Sequence, residues 1–212
     1  WDASFAEIPD SERAAYFDAM NGVIAAMHSL DPAEIGLADY GRAGNHFERQ
    51  IGRWSQQYLA DELAGRDPDM DAVVAWLPNA IPEGDETRLV HGDFRCDNMI
   101  FHPTEPRILA VLDWELSTLG HPLADLGYFC MALRLPRNPA LPGLAGLDRA
   151  ELGIPDEAAI LRRYTELTGR PKPADWPLVR FKSCGSSSVR FVTPRLKLRS
   201  SVKPLPRKSY WM

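Results

Sequence analysis

The chain has 212 residues, of which 45% are hydrophobic, and it carries a formal net charge of −5. This length and apolar content are enough for one domain with a buried core and an additional segment. The three cysteines, Cys96, Cys130 and Cys184, show no paired spacing, which argues against a disulfide framework and a cysteine zinc site. Because there is no signal peptide and no apolar run long enough to span a bilayer, we expect a reducing, cytoplasmic setting without membrane contact.

Helices are predicted before and after a polar central segment, because apolar residues recur there at every third or fourth position. These predicted helices cover residues 11–30, 45–63, 70–77, 123–133 and 157–168. Residues 135–155 are rich in Pro and Gly and are predicted to form a loop.

The central segment, residues 89–101, reads LVHGDFRCDNMIF and places five polar or charged residue positions between two runs of β-forming residues. After the turn residues HPTEP, the apolar segment 107–115 predicts a second strand. A loop, a strand, a tight turn and a strand in this order would fold Asp113 back beside the loop that carries Asp93 and Asn98. Two carboxylates and a carboxamide supply the oxygen ligands that suit a hard cation such as Mg²⁺.

The spacing of these polar residues is more specific than their composition. Protein kinases have the motif H-R-D-x-x-x-x-N, in which the Asp accepts the hydroxyl proton and the Asn binds Mg²⁺, and the Asp of a later D-F-G holds the metal. In this chain HGD begins at His91, Asn98 follows Asp93 by 5 positions, and Asp113 comes after one hairpin. LDWE stands in place of D-F-G, and HPLADLGY follows at residues 121–128.

With these motifs the chain resembles the aminoglycoside phosphotransferase branch of the kinase-like enzymes, and within it the kinase-like domains that are fused to acyl-CoA dehydrogenases in animals. The resemblance runs over about residues 1–175. It implies an α+β, mainly helical fold, the C-terminal lobe of the protein-kinase-like fold, with a small β-hairpin at the catalytic loop. It also implies that the γ-phosphoryl of ATP is transferred, with Mg²⁺, to a hydroxyl group of a small molecule, such as an acyl-CoA-like metabolite or an aminoglycoside.

The resemblance implies a chemical role for four residues. Asp93 is expected to be the base that orients the acceptor hydroxyl, while Asn98 and Asp113 are expected to hold Mg²⁺ and, through it, the nucleotide. Arg95 is expected to lie near the transferring phosphoryl group and offset its charge, although a solvated surface arginine is an equally good interpretation.

Two more residues are expected to support this loop. His91 would hold it by a backbone hydrogen bond, and Asp125 resembles the helix-borne acid that braces the loop from below. Alternatively, Asp125 is a first-turn acid placed favourably in the dipole of its helix. A hydrolase that uses His91, Asp93, Asp113 and His121 as metal ligands is another hypothesis, but it accounts less well for Asn98.

Two features of kinase-like enzymes are absent from the sequence. No lysine occurs before Lys172, and there is no G-x-G-x-x-G pattern, although such enzymes use a glycine-rich loop and a strand lysine to hold the nucleotide. We therefore expect the chain to be the C-terminal lobe of a phosphotransferase, without its nucleotide-holding lobe and inactive by itself. The alternative is a non-catalytic binding lobe or pseudokinase.

Residues 176–212 differ from the rest of the chain in charge. Nine of the 24 Lys and Arg residues lie there with no Asp or Glu, whereas the other 15 basic residues share residues 1–175 with all 29 acidic ones. The segment has neither helical nor strand periodicity, and it is predicted to be a disordered or out-of-frame terminus outside the domain of residues 1–175. We prefer this interpretation to an arm for nucleic acid or anionic lipid.

Overall fold

A computed structural model describes residues 7–42, 44–62, 65–79, 81, 86–138 and 141–172. The helices in these residues are α1 (Asp10–Ser29), α2 (His46–Ala60), α3 (Pro68–Trp76), α4 (Pro122–Met131) and α5 (Glu157–Thr168). The strands are β1 (Arg88–Val90), β2 (Met99–Phe101), β3 (Ile108–Val111), β4 (Thr118–Gly120), β5 (Arg137–Asn138) and β6 (Leu141–Pro142). Short 3₁₀ turns cover Leu77–Asn79, Cys96–Asn98 and Trp114–Leu116. The predicted boundary near residue 175 and the basic segment 176–212 lie outside the described residues.

The five predicted helices are confirmed, with small shifts of their ends. Helix α3 begins earlier than predicted because the Asp67 carboxylate accepts hydrogen bonds from the amides of Asp69 and Met70, at 2.8 and 3.4 Å. Helix α5 ends as predicted, at Gly169, which has the left-handed conformation common after a helix (φ 68°). Within the described residues, no helix is both long enough and apolar enough to cross a bilayer.

The hydrophobic core lies where α1 packs against α5 and α4. Phe17, Met20 and Ile24 of α1 recur at helical spacing and are almost completely buried. The Phe17 and Phe129 rings have centroids 6.4 Å apart, and Phe94 lies edge-on to Phe129 at 5.8 Å. Through Phe94 the central segment is therefore attached directly to the core of the helices.

The central segment contains two small antiparallel sheets, and the strands of one lie between the strands of the other along the chain. In the outer pair, β1 lies beside β4, with Leu89 opposite Leu119. In the inner pair, β2 lies beside β3, with Ile100 opposite Ala110. The outer pair brings the two ends of residues 91–117 together, and it thereby confines the loop before β2 and the turn after β3 to one region.

The strand predicted over residues 107–115 is shorter than expected. It covers only Ile108–Val111, because Asp113 takes a left-handed conformation (φ 64°, ψ 56°) and the chain then enters the 3₁₀ turn Trp114–Leu116. The loop predicted over residues 135–155 also contains the short antiparallel pair β5–β6. The predicted order of loop, strand, turn and strand is otherwise confirmed.

We predict that Ile24→Ala will lower the free energy of unfolding by about 2–5 kcal/mol, because it leaves a cavity in the core between the helices. Ile24 is 0% exposed, whereas Leu59 on α2 is 49% exposed. Leu59→Ala is the matched control and should change stability by no more than about 0.5 kcal/mol. Urea denaturation of both variants measures the difference, and equal losses would contradict the core described above.

Candidate active site

The polar loop, residues 91–98, joins β1 to β2, and the side chain of its last residue, Asn98, bonds back to Asp93. The Asn98 amide nitrogen donates hydrogen bonds to the Asp93 carbonyl oxygen and to the Asp93 carboxylate, both at 2.9 Å. Both partners can only accept, so the amide must turn its NH₂ group toward Asp93. The carbonyl oxygen of the same side chain has no hydrogen-bond partner among the described residues, and it is a donor of the type that hard cations prefer.

Asp113 is held close to Asn98 by the residue that precedes it. The Leu112 amide donates a hydrogen bond to the Asn98 backbone carbonyl at 2.8 Å, and Asp113 follows in its left-handed conformation. Asp113 is exposed, and its side chain makes no hydrogen bond or ion pair with another described residue. A non-glycine residue in this conformation is uncommon and costs of order 1 kcal/mol or more, which the surrounding hydrogen bonds must offset.

His91 is completely buried, and its hydrogen bonds assign its tautomer. Nε2 lies 2.9 Å from the Leu112 carbonyl oxygen, to which it must donate, and Nδ1 accepts from the Asp93 amide at 3.2 Å. The ring contacts Trp114, with centroids 4.8 Å apart, and Phe94. His91 therefore ties the polar loop to the turn that carries Asp113, and neither ring nitrogen is free to bind a metal.

The hypothesis of a hydrolase with a histidine-rich metal site is therefore wrong. His91 has no lone pair left, and His121 uses Nδ1 to accept the Leu123 amide at the start of α4, at 3.2 Å. In the described part of the chain, no group of three or more His, Cys, Asp and Glu side chains is arranged to hold a metal ion. The pair of Asn98 and Asp113 lies outside this search, since Asn98 has a carboxamide side chain.

Asp125 lies beneath the polar loop, on the first turn of α4, and is 1% exposed. Its two carboxylate oxygens accept hydrogen bonds from the His91 amide at 2.5 Å and from the Gly92 amide at 2.8 Å. Gly92 has φ 85°, and a Cβ there would lie 2.6 Å from the Leu116 carbonyl oxygen. Only glycine fits this position, which explains the HGD sequence in place of HRD.

Arg95 belongs to the loop and pairs there with the Asp97 carboxylate. It also interacts with the hydroxyl of Tyr128, a residue of α4 that the sequence analysis missed. The Asp93 carboxylate lies near the Tyr128 hydroxyl; burial first, and this carboxylate second, raise the pKa of Tyr128 to about 12. The signal was present in HPLADLGY, since Tyr128 follows Asp125 by one helical turn and shares its face of α4.

Comparison with known proteins gives a family match and several similar sequences. The family described as "Phosphotransferase enzyme family" matches residues 2–165. Mouse acyl-CoA dehydrogenase family member 10 is 43% identical over 176 residues, which make up 82% of this chain and 16% of that protein.

Two solved structures are also similar to this chain. A candidate aminoglycoside phosphotransferase from Ralstonia eutropha is 53% identical, with a TM-score of 0.79, over 84% of this chain and 54% of that one. An aminoglycoside-3'-phosphotransferase of type VIII has a TM-score of 0.55 at 19% identity, over 81% of this chain and 63% of that one, which shows a shared fold alone. The chain thus spans less than two thirds of the length of each of these relatives. It belongs to the phosphotransferase enzyme family and has the protein-kinase-like fold of the aminoglycoside phosphotransferases.

Proposed function

We propose that this chain is the catalytic lobe of an ATP-dependent phosphotransferase that phosphorylates a hydroxyl group on a small molecule. The observation that supports this most strongly is the position of Asn98. Its NH₂ group is bonded to Asp93, the proposed base, while its carbonyl oxygen is available beside the segment of Asp113, the proposed metal ligand. One side chain thus connects the acceptor end of the site to the metal end.

The oxygen ligands of this site fit Mg²⁺. The Asn98 carbonyl and the Asp113 carboxylate are hard donors, and Mg²⁺ is usually bound by one or two such side chains together with phosphate oxygens and water. When bound, the ion would neutralise negative charge on the phosphates. The left-handed backbone at Asp113 and the hydrogen bonds of Leu112 would hold the carboxylate in place before the nucleotide arrives.

Asp93 is proposed to orient the acceptor hydroxyl and to take up its proton. Its carboxylate accepts a hydrogen bond from the Asn98 side chain and lies near the Tyr128 hydroxyl, so its orientation is fixed from two sides. Phosphoryl transfer has a loose transition state in which positioning of the nucleophile matters more than strong basicity. Arg95, two residues after Asp93 and paired with Asp97, is proposed to offset charge on the phosphoryl group.

An apolar surface next to the metal end suits the base of the nucleotide. Ile100 and Leu112 are 45% and 46% exposed. Ile100 is paired with Ala110, and Leu112 lies two residues beyond Ala110, so both side chains are on the same face of the β2–β3 hairpin. A flat heterocycle could cover this surface while its phosphates extend toward Asp113.

The nucleotide-holding lobe and the acceptor are proposed from the resemblance. The chain has no lysine before Lys172 and no glycine-rich loop, and we propose that a separate lobe supplies these groups. Similarity to a segment of acyl-CoA dehydrogenase family member 10 favours an acyl-CoA-like hydroxylated acceptor over an aminoglycoside. The two acceptor classes can be distinguished with a fusion protein that joins this chain to the part of the Ralstonia protein that this chain does not match. Its phosphoryl transfer from [γ-³²P]ATP would be assayed with an acyl-CoA-like acceptor and with an aminoglycoside.

We predict that Asp113→Ala in this fusion will lower the rate of phosphoryl transfer by at least about 100-fold, because charge on the phosphates is no longer neutralised. Asp18→Ala is the matched control, since Asp18 is an exposed acid paired with Arg163 on α5. That variant should retain normal activity. Full activity in Asp113→Ala would exclude the proposed metal ligand, and an inactive unmodified fusion, tested with both acceptor classes, would favour a non-catalytic lobe.

We predict that Asp93→Asn will lower kcat by about 10² to 10⁴-fold, the usual loss for a positioned general base. An asparagine can still accept the Asn98 hydrogen bond, so the loop should keep its conformation. ATP binding by the fusion, measured by isothermal titration calorimetry, should change little, because Asp93 faces the acceptor. An unchanged kcat in this variant would show that Asp93 is not the base.

A further inference from the structure

A chain of three buried polar side chains lies below the polar loop, and each comes from a different helix. His28 of α1 and Asp125 of α4 are 0% and 1% exposed, as is Tyr164 of α5 at 1%. The Tyr164 hydroxyl is 2.8 Å from His28 Nδ1, and His28 Nε2 is 3.5 Å from the Asp125 carboxylate oxygen that accepts the His91 amide. Burying three such groups is costly unless they satisfy one another.

The chemistry of the three groups assigns the direction of these hydrogen bonds. Burial raises the pKa of Tyr164, so its hydroxyl keeps the proton and can donate. Burial also lowers the pKa of His28, despite the opposing effect of Asp125, so the imidazole is neutral with one N–H group. Since Asp125 can only accept, the proton of His28 belongs on Nε2, and Nδ1 accepts from Tyr164.

Two charged residues, Arg170 and Glu86, lie next to these three side chains. Arg170, just after α5, donates to the His28 carbonyl oxygen and to the Glu86 carboxylate, both at 2.7 Å. Glu86 lies shortly before β1, which leads into the polar loop. The end of α1 is therefore linked both to the segment after α5 and to the segment that enters the site.

We propose that His28 is a positioning residue for phosphoryl transfer: with its tautomer set by Tyr164 and Asp125 together, it keeps the Asp125 carboxylate turned toward the His91 and Gly92 amides. This inference rests on the proposed function of the loop. Asp125 touches neither Asp93 nor Asn98 in this scheme. It fixes the backbone at the start of the loop, and the position of the Asp93 carboxylate follows from that backbone.

The first test is Tyr164→Phe, which keeps the ring but removes the donor to His28 Nδ1. In the 212-residue chain, ¹⁵N chemical shifts of the imidazole should change from a single Nε2–H tautomer to a mixture. Exchange of the His91 and Gly92 amide protons should become roughly 2- to 10-fold faster, the effect of one hydrogen bond. Tyr58→Phe is the matched control, because the Tyr58 hydroxyl bonds to Asp71 at 2.9 Å, outside this network.

The second test compares two substitutions of His28 that both lose the Tyr164 contact. His28→Gln keeps an N–H group for Asp125, whereas His28→Leu does not. Compared with His28→Leu, His28→Gln should show slower amide exchange at His91 and Gly92. In the fusion, His28→Gln should also have the higher kcat, whereas the KM for ATP should be equal in the two variants. Equal values in the two variants would overturn the proposal. If His28→Leu does not fold, an unchanged tautomer and unchanged exchange in Tyr164→Phe would do so.

These readouts separate two kinds of failure. Imidazole shifts and amide exchange are measured without nucleotide, so they report on His28 even if no phosphoryl transfer occurs. Inactivity of the unmodified fusion would refute the proposed function alone. If the fusion is active but amide exchange at His91 and Gly92 is normal in every variant, only the proposed role of His28 is refuted.

Discussion

The site depends on the two hydrogen bonds that the Asp125 carboxylate accepts from consecutive amides of the polar loop, His91 and Gly92. A buried carboxylate that accepts hydrogen bonds from backbone amides is fixed in position, because no water is present to replace the amides as donors. Asp125 belongs to α4, which packs in the core of the helices. The loop thus takes its position from the buried core of the helices.

Some polar groups at the site form hydrogen bonds within the protein, and others have no partner among the described residues. His91 uses both ring nitrogens and Asn98 uses its NH₂ group within the protein, whereas the carboxylate of Asp113 remains available. Every side chain that supports the loop is satisfied internally, and such fixed dipoles need no reorganisation when charge develops on a substrate. This division matches the proposed roles of support for His91 and of metal binding for Asn98 and Asp113.

Two residues at the site have a positive φ. At Gly92 a side chain would also collide with the Leu116 carbonyl, so that only glycine fits, whereas Asp113 adopts a positive φ although it carries a side chain. The hydrogen bonds of Leu112 to Asn98 and His91 hold the second conformation in place. Strain of this kind persists where the surrounding structure over-determines the backbone, and it is often found at functional sites.

The sequence by itself determined the helices, the β2–β3 hairpin and the identity of the polar loop. These features are local: helical and strand periodicity and the spacing of Asp93 and Asn98 involve residues close in the chain. The sequence also indicated the family, because HGD, its Asn and the later Asp stand in a specific order.

Only the tertiary structure decided which groups meet across long distances in the chain. His28 and Tyr164 are 136 residues apart, and neither stands in a recognisable motif, yet they form a 2.8 Å hydrogen bond. The pairing of β1 with β4 and the left-handed backbone of Asp113 were equally invisible in the sequence. Periodicity tells which face of a helix is buried, but the partner of a buried polar group depends on how helices pack, and packing is decided by the shapes of the whole core.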